Sequence, residues 1–150
     1  MAADSARKPA SARLPAILQR VRTTADRAAL AARLCRLSIA FIWIYQGLVP
    51  KLLLHAPDEL AMNIAAGFSE AGARTFSNIA GIAEITLGLL VLLSGARWTL
   101  QLTIALMIAL TAVVAAAKPV YLVGAFNALT LNLAVAALAW VALLLRKKAE

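Results

Sequence analysis

The sequence predicts an all-α membrane protein built as a four-transmembrane-helix bundle. The chain of 150 residues is 63% hydrophobic, and its mean hydropathy of +0.83 lies well above that of a soluble domain. Four apolar windows are long enough to cross a bilayer, which takes about 20 residues. None of them alternates apolar and polar residues as a β-barrel strand does. Helices are therefore expected, because a helix satisfies its own backbone hydrogen bonds in lipid.

The first span is expected over residues 28–49, with two arginines at its inner end. Before it lies a small, charged tail at residues 1–13, which is expected to be disordered. Residues 14–22 carry their apolar side chains on one helical face. They predict either a short basic helix lying on the membrane or an extension of the first span. The membrane domain is expected over residues 14–148.

The first outer loop is predicted to contain a short amphipathic helix. The first span should end near Pro50, which has no backbone N–H and leaves the carbonyl of Gln46 free if the helix continues. The loop then reads Pro-Asp-Glu at residues 57–59, a helix start with acid in the first turn. Apolar residues recur every four positions after it. A helix over Asp58–Glu70, lying on the outer surface, is the prediction.

The three remaining spans are expected at Asn78–Ser94, Trp98–Ala117 and Leu122–Leu145. Short loops join the second span to the third and the third to the fourth, so consecutive spans should run antiparallel and side by side. Asn127 is the expected N-cap of the last helix, because its side-chain oxygen can accept a hydrogen bond from the first turn.

Basic residues predict the orientation of the bundle. Twelve of the 15 Lys and Arg residues lie at the two termini or in the loop between the second and third spans. The positive-inside rule then places both termini in the cytoplasm of a bacterium, with the chain in its inner membrane. The net charge of +8 is spread along membrane flanks rather than gathered on one face. No nucleic-acid partner is therefore expected.

Glu84 is the only ionisable residue in the second span. A carboxylate at that depth costs roughly 3 kcal/mol on insertion scales unless it has a partner or water, so it marks a candidate functional site. Lys51 stands at the outer mouth of the bundle, on a flexible stem that can reach down to Glu84. It is the expected partner.

Polar side chains from all four spans are expected at one depth. At about 1.5 Å per residue, each span places one hydrogen-bonding side chain roughly 7–9 Å below the outer face. Four further polar residues are expected above them at the mouth: Lys51, His55, Lys118 and Asn127. The candidate ligand-binding site consists of Gln46, Lys51, Glu84, Thr111, Asn127 and Asn132.

The motifs of autonomous enzymes are missing from the sequence. It has no Gly-rich phosphate loop and no nucleophile elbow. Cys35 is its only cysteine, which excludes a dithiol pair within the chain. His55 is its only histidine, so no metal site is expected. An autonomous enzyme is therefore not expected.

Three segments resemble the DoxX-like family of small membrane proteins. They read FIWIYQGLVPKLL at residues 41–53, AGIAEITLGLLVLL at 80–93 and FNALTLN at 126–132. The resemblance covers the chain after about residue 33 and implies a four-helix bundle. Some relatives are linked to quinol oxidation in respiratory chains, and others accompany redox or sulfur-stress systems. The motif positions that it implies here are Gln46, Pro50, Lys51, Glu84, Asn127 and Asn132.

Three functions stay open. The favoured one is an accessory or binding subunit that holds a lipophilic ligand, with a quinone as the candidate cofactor. The second is a small proton-coupled transporter, working as a dimer. The third is a structural or assembly partner, in which a Glu84–Lys51 pair only fastens the bundle. The expected partners are the lipid bilayer and either a membrane redox complex or a second copy of the chain.

Overall fold

A computed structural model describes residues 10–124 and 127–147, with side chains described for 23–124 and 127–146. All regular structure in this part of the chain is helical. A π-helical segment, Gly47–Leu53, follows the first α-helix, and a 3₁₀ turn, Pro119–Leu122, precedes the last. The α-helices are α1 (Ala10–Gln46), α2 (Pro57–Ala65), α3 (Glu70–Leu93), α4 (Arg97–Ala117) and α5 (Ala128–Lys147).

Four helical segments within the described ranges are long and apolar enough to cross a membrane. Large apolar side chains on their outer faces are more than half exposed, as at Ile82 and Leu133. Contact with lipid tails accounts for such faces, because the tails are as apolar as the side chains. The prediction of four membrane-capable helices is thus confirmed. They are Thr23–Leu53, Glu70–Leu93, Arg97–Ala117 and Ala128–Arg146.

The helices pack in the order α3, α1, α5, α4. The core residues between them, among them Ile39, Val91, Leu100 and Val135, are almost fully buried. α3 and α4 make few contacts, although they follow one another in the chain with a short turn between them. The ring of helices is therefore loosely closed on the side between α3 and α4.

Glycines let α1 and α3 approach closely. A β-carbon on Gly81 would lie 2.8 Å from the carbonyl oxygen of Gly47, and one on Gly88 would lie 2.9 Å from that of Ala40. These distances leave no room for a side chain, so backbone packs against backbone. Gly81 and Gly88 stand three residues before and four after Glu84, on the same face of the helix. The contact with α1 therefore directs Glu84 toward the bundle interior.

Pro50 widens the first span without ending it. Proline cannot make the regular hydrogen bond to the carbonyl of Gln46, and the chain continues to Leu53 as a π-helix. The N–H of Leu54 donates to the carbonyl of Val49, five residues back, at 2.9 Å. Lys51 consequently lies within the helix, although the first span was expected to end near Pro50.

The helices around the loop between the first and second spans also differ from the expected ones. α2 ends at Ala65 and not at Glu70, because Gly67 turns the chain with a φ of +101°. α3 begins at Glu70 and not at Asn78. Ser69 caps it by accepting a hydrogen bond from the N–H of Gly72 at 3.2 Å. The polar first turns of α3 had lowered the hydropathy on which the predicted boundary depended.

The two ends of the chain follow the expected outline with shifted bounds. Residues 1–9 of the predicted tail lie outside the described residues, and the helical backbone begins at Ala10. α1 is continuous from there, so residues 14–22 extend the first span. At the other end, residue 122 belongs to the 3₁₀ turn. The fourth span therefore starts later than the predicted Leu122.

Two side-chain contacts fix α1 to its neighbours. The indole N–H of Trp43 donates to the hydroxyl of Thr103 at 3.2 Å, and both residues are buried. Arg36 donates to the carbonyls of Val91 and Leu92 at 2.9 and 3.0 Å. Carbonyls at a helix C-terminus lack helical partners and attract positive charge. Arg36 therefore caps α3 from a neighbouring helix.

Candidate functional site

A cavity of about 290 Å³ lies in the half of the bundle that carries α2. All five α-helices and the π-helical segment contribute to its wall. Most of the wall is apolar, and the apolar part includes Ile42, Trp43, Phe76, Met107 and Val135. The polar and charged side chains of the wall are Gln46, Lys51, Glu59, Asn63, Glu84 and Asn132.

Lys51 holds two carboxylates at the wall of the cavity. Its Nζ lies 3.2 Å from Oε1 of Glu84 and 3.0 Å from Oε1 of Glu59. The side chains of Lys51 and Glu84 are only 11% and 12% exposed. The expected pairing of Lys51 with Glu84 is present, and α2 adds a second acid to it. Glu59, Lys51 and Glu84 are called the charged cluster below.

The charged cluster leaves one strong hydrogen-bond acceptor unused. Both carboxylates contact Lys51 through Oε1, whereas Oε2 of Glu84 is buried and has no partner among the described residues. A buried acceptor without a partner costs about 1–3 kcal/mol, and more when it is charged. With two carboxylates and one ammonium, the cluster carries one surplus negative charge when all three groups are ionised. The site is therefore suited to a group that donates a hydrogen bond.

Glu59, like Asn63, is a polar residue of the cavity wall that the sequence analysis missed. It lies in the first turn of α2, where its acidity was taken only as a helix-start signal. The available signal was its helical face, because Glu59 lies three and four residues before Met62 and Asn63, and all three line the cavity. Asn63 fixes α2 in place by donating to the buried hydroxyl of Ser77 on α3 at 2.9 Å.

Asn132 brings α5 into the wall, and Thr111 stands behind it. The amide of Asn132 donates to the hydroxyl of Thr111 at 3.0 Å. Thr111 in turn donates to the carbonyl of Met107 at 2.8 Å and does not line the cavity. Gln46 does line it, and no side-chain hydrogen bond joins Gln46 to another residue in the described ranges.

Asn127 is a helix cap and lies outside the cavity wall. Its Oδ1 accepts a hydrogen bond from the N–H of Thr130 at 2.9 Å, and its Nδ2 donates to the carbonyl of Gly124 at 2.8 Å. The N-cap predicted from the sequence is thus confirmed. Both polar groups of the side chain are occupied by this local bonding. The structure brings four of the six predicted residues to the cavity: Gln46, Lys51, Glu84 and Asn132.

Four membrane-capable helices around a partly charged cavity define a small multi-pass membrane protein with a buried polar site. The model of the DoxX-like family matches residues 40–140, about two thirds of the chain. The chain belongs to the DoxX-like family, as its resemblance predicted. The matched range contains every residue that lines the cavity. Searches of curated proteins and of solved structures gave no match.

Proposed function

We propose that this protein is a membrane-embedded accessory subunit that binds a lipophilic ligand in the cavity. The polar head group of the ligand contacts the charged cluster, and its apolar part lies among the helices. Ligand sites in proteins are concave and mostly apolar, with a few placed polar groups. The observation that carries the proposal is that Glu84, whose Oε2 is buried and unpartnered, lines an open volume of about 290 Å³.

The loose contact between α3 and α4 supports entry of such a ligand from the bilayer. Phe76 on α3 and Val113 on α4 both line the cavity and are 44% and 50% exposed. A molecule dissolved in the lipid can pass between these side chains without crossing water. A soluble ligand would instead have to pass α2 and the loops.

Quinone binding, which the family resemblance favours, can be tested through Trp43. Quinones quench nearby tryptophan fluorescence, and Trp43 lines the cavity while Trp98 and Trp140 are half exposed on the outside. In a Trp98→Phe/Trp140→Phe background in nanodiscs, decylubiquinone should quench Trp43 saturably. Glu84→Gln should strengthen this binding by up to about tenfold, because the new amide donates a hydrogen bond to a quinone carbonyl, worth about 0.5–1.5 kcal/mol, whereas the carboxylate only accepts.

The control for this experiment is Thr86→Val. Thr86 lies on the same helix as Glu84, is exposed, and bonds only to the carbonyl of Ile82 at 2.8 Å. The Thr86→Val substitution should leave the quenching curve unchanged. Quenching that never saturates, or that is the same in the Glu84→Gln and Thr86→Val proteins, would contradict a quinone site at the charged cluster.

The sharing of one lysine by two carboxylates favours proton-coupled transport as a second candidate. One proton bound to the cluster cancels its surplus charge, so the cluster can exchange a proton for a substrate. Proteoliposomes with an internal pH dye measure such an exchange. A proton flux that persists in the Glu84→Gln protein would exclude this candidate. If no small molecule stabilises the protein at all, the role of an assembly partner remains.

We also propose that both termini face the cytoplasm and that the bundle lies in the inner membrane of a bacterium. The distribution of basic residues supports this orientation. The cavity and α2 then lie in the outer half of the membrane.

A further inference from the structure

We propose that the ligand of the cavity is a lipophilic cation, with an ammonium head group on an apolar body. The inference rests on the proposed binding function and names the ligand class for that site. It depends on the balance of charge around the cavity, on the unused acceptor, and on the nature of the remaining wall.

The charge balance favours a cation. Among the residues that line the cavity, the charged ones are Glu59, Lys51 and Glu84, and they sum to one negative charge when ionised. An uncompensated charge away from water is costly, because no solvent shields it. A monovalent cation brings the cluster to neutrality, whereas a neutral ligand displaces water and leaves the surplus charge in place.

The unused acceptor favours a head group that donates hydrogen bonds. Oε2 of Glu84 is buried and unpartnered, and an ammonium presents N–H donors to it. A carbonyl head group only accepts hydrogen bonds and so cannot satisfy Oε2. The amide of Gln46 is available to a carbonyl, whereas Lys51 already contacts two carboxylates and Asn132 donates to Thr111. None of these contacts supplies a donor to Oε2 of Glu84.

The rest of the wall suits the apolar body of such a ligand. Trp43 and Phe76 supply aromatic rings, and the indole N–H of Trp43 is already used by Thr103. Aromatic faces attract cations by about 0.5–2 kcal/mol. The apolar residues of α4 and α5 complete the wall.

The test compares two probes that share one tail, decylammonium and decanol, by isothermal titration into protein in nanodiscs of zwitterionic lipid. Heats from empty nanodiscs are subtracted, so that partition into the lipid is removed. Decylammonium should bind saturably and at least about tenfold more tightly than decanol, as expected for a charge-assisted hydrogen bond. Glu84→Gln should remove this preference.

Two further variants make the result specific. Glu59→Gln removes the surplus charge without touching Oε2 of Glu84, so it should weaken decylammonium binding and leave decanol binding unchanged. It also serves if Glu84→Gln fails to fold. Glu70→Gln is the matched control, because it is the same change as Glu84→Gln on the same helix. Glu70 is 68% exposed and pairs with Arg74. The Glu70→Gln protein should bind both probes as the wild type does.

The outcomes separate this inference from the proposed function. Equal affinity for decylammonium and decanol, or a preference that survives both Glu59→Gln and Glu84→Gln, overturns the inference. If decylubiquinone binds in a Glu84-dependent way and decylammonium does not, the inference of a cationic ligand is wrong and the proposed binding function stands. If none of the three probes binds in a Glu84-dependent way, both are wrong.

Discussion

Lys51 is the residue on which the charged cluster depends, because its one ammonium contacts carboxylates from two helices. Removing one partner of a buried ion pair is far more costly than removing an exposed pair, since it leaves an uncompensated charge out of water. The chain offers both cases. Glu84 pairs with Lys51 at about one-tenth exposure, whereas Glu70 and Arg74 pair at more than half.

Lys51→Met should therefore lower the stability of the bundle by about 3–5 kcal/mol. Arg74→Met, the control, should change it by less than about 1 kcal/mol. Adding Glu84→Gln to Lys51→Met should restore part of the loss, because it removes one of the two stranded charges. Thermal unfolding in detergent micelles measures all three. Equal melting temperatures for the Lys51→Met and Arg74→Met proteins would contradict the account of the cluster.

Tyr121 makes a second, exposed contact at the same end of the bundle. Its hydroxyl donates to Oδ1 of Asp58 at 3.0 Å and so links the 3₁₀ turn to α2. The hydrogen bond to Asp58 raises the pKa of Tyr121 above its ordinary value of 10.0, and the negative charge of Asp58 adds to it. The folded state thus prefers the protonated phenol. Its stabilising effect is present below the ordinary pKa and is lost as the pH rises through the raised value.

Ultraviolet titration of the phenolate should show this shift. Tyr45 is the only other tyrosine, so a Tyr45→Phe background isolates Tyr121. Its midpoint should lie above 10.0, and Asp58→Asn should lower it toward that value. A midpoint that Asp58→Asn leaves unchanged would show that the hydrogen bond is not formed in solution.

At the scale of the elements, the site depends on how α1, the π-helical segment and α3 meet. Pro50 forces the wider turn that places Lys51 in the wall, and glycines allow α3 to lie against that turn. A β-carbon on Gly81 would lie 3.1 Å from the β-carbon of Lys51, in addition to its clash with Gly47. The close contact between α1 and α3 and the position of the Lys51 ammonium therefore depend on the same glycine.

Gly81→Ala should destabilise the protein by about 1–3 kcal/mol, because the new methyl group meets backbone that cannot move aside. Gly72→Ala, on the same helix, is the matched control. Its nearest neighbour is the side-chain oxygen of Ser69 at 3.1 Å, which needs to shift by only a few tenths of an ångström. Thermal unfolding of both variants checks the difference. The contact would be shown to be looser than described if Gly81→Ala melted no earlier than Gly72→Ala.

At the scale of the whole molecule, the bundle places the cavity near one membrane face, and charge decides which face that is. The side that carries α2 and the 3₁₀ turn holds three of the 15 basic residues. By the positive-inside rule, this distribution supports our proposal that the side of α2 is the outer one. Any ligand or partner of the cavity is then met in the outer half of the bilayer.

Single cysteines test this orientation. In a Cys35→Ser background, Val123→Cys places a thiol on the side of α2, where residue 123 is 81% exposed, and Ser94→Cys places one in the turn between α3 and α4. A membrane-impermeant maleimide added to intact cells should label the first variant and spare the second. The reverse pattern would invert the proposed topology.

Much of the site was visible in the sequence because depth in a membrane follows residue count along a helix. Gln46, Glu84 and Asn132 were expected at one level, and all three line the cavity. The direction in which a side chain points does not follow from residue count. Asn127 and Thr111 do not line the cavity, because Asn127 caps its own helix and Thr111 bonds behind Asn132.

The sequence by itself determined that the chain forms four membrane-capable helices, because long apolar windows dissolve in lipid and only closed backbone bonding is stable there. It also determined the family, because the family motifs are short continuous segments of the sequence. The tertiary structure alone decided that Glu59 joins Lys51 and Glu84, and that Gly81 lies against Gly47. These are contacts between separate helices, and no local pattern records which helical faces meet.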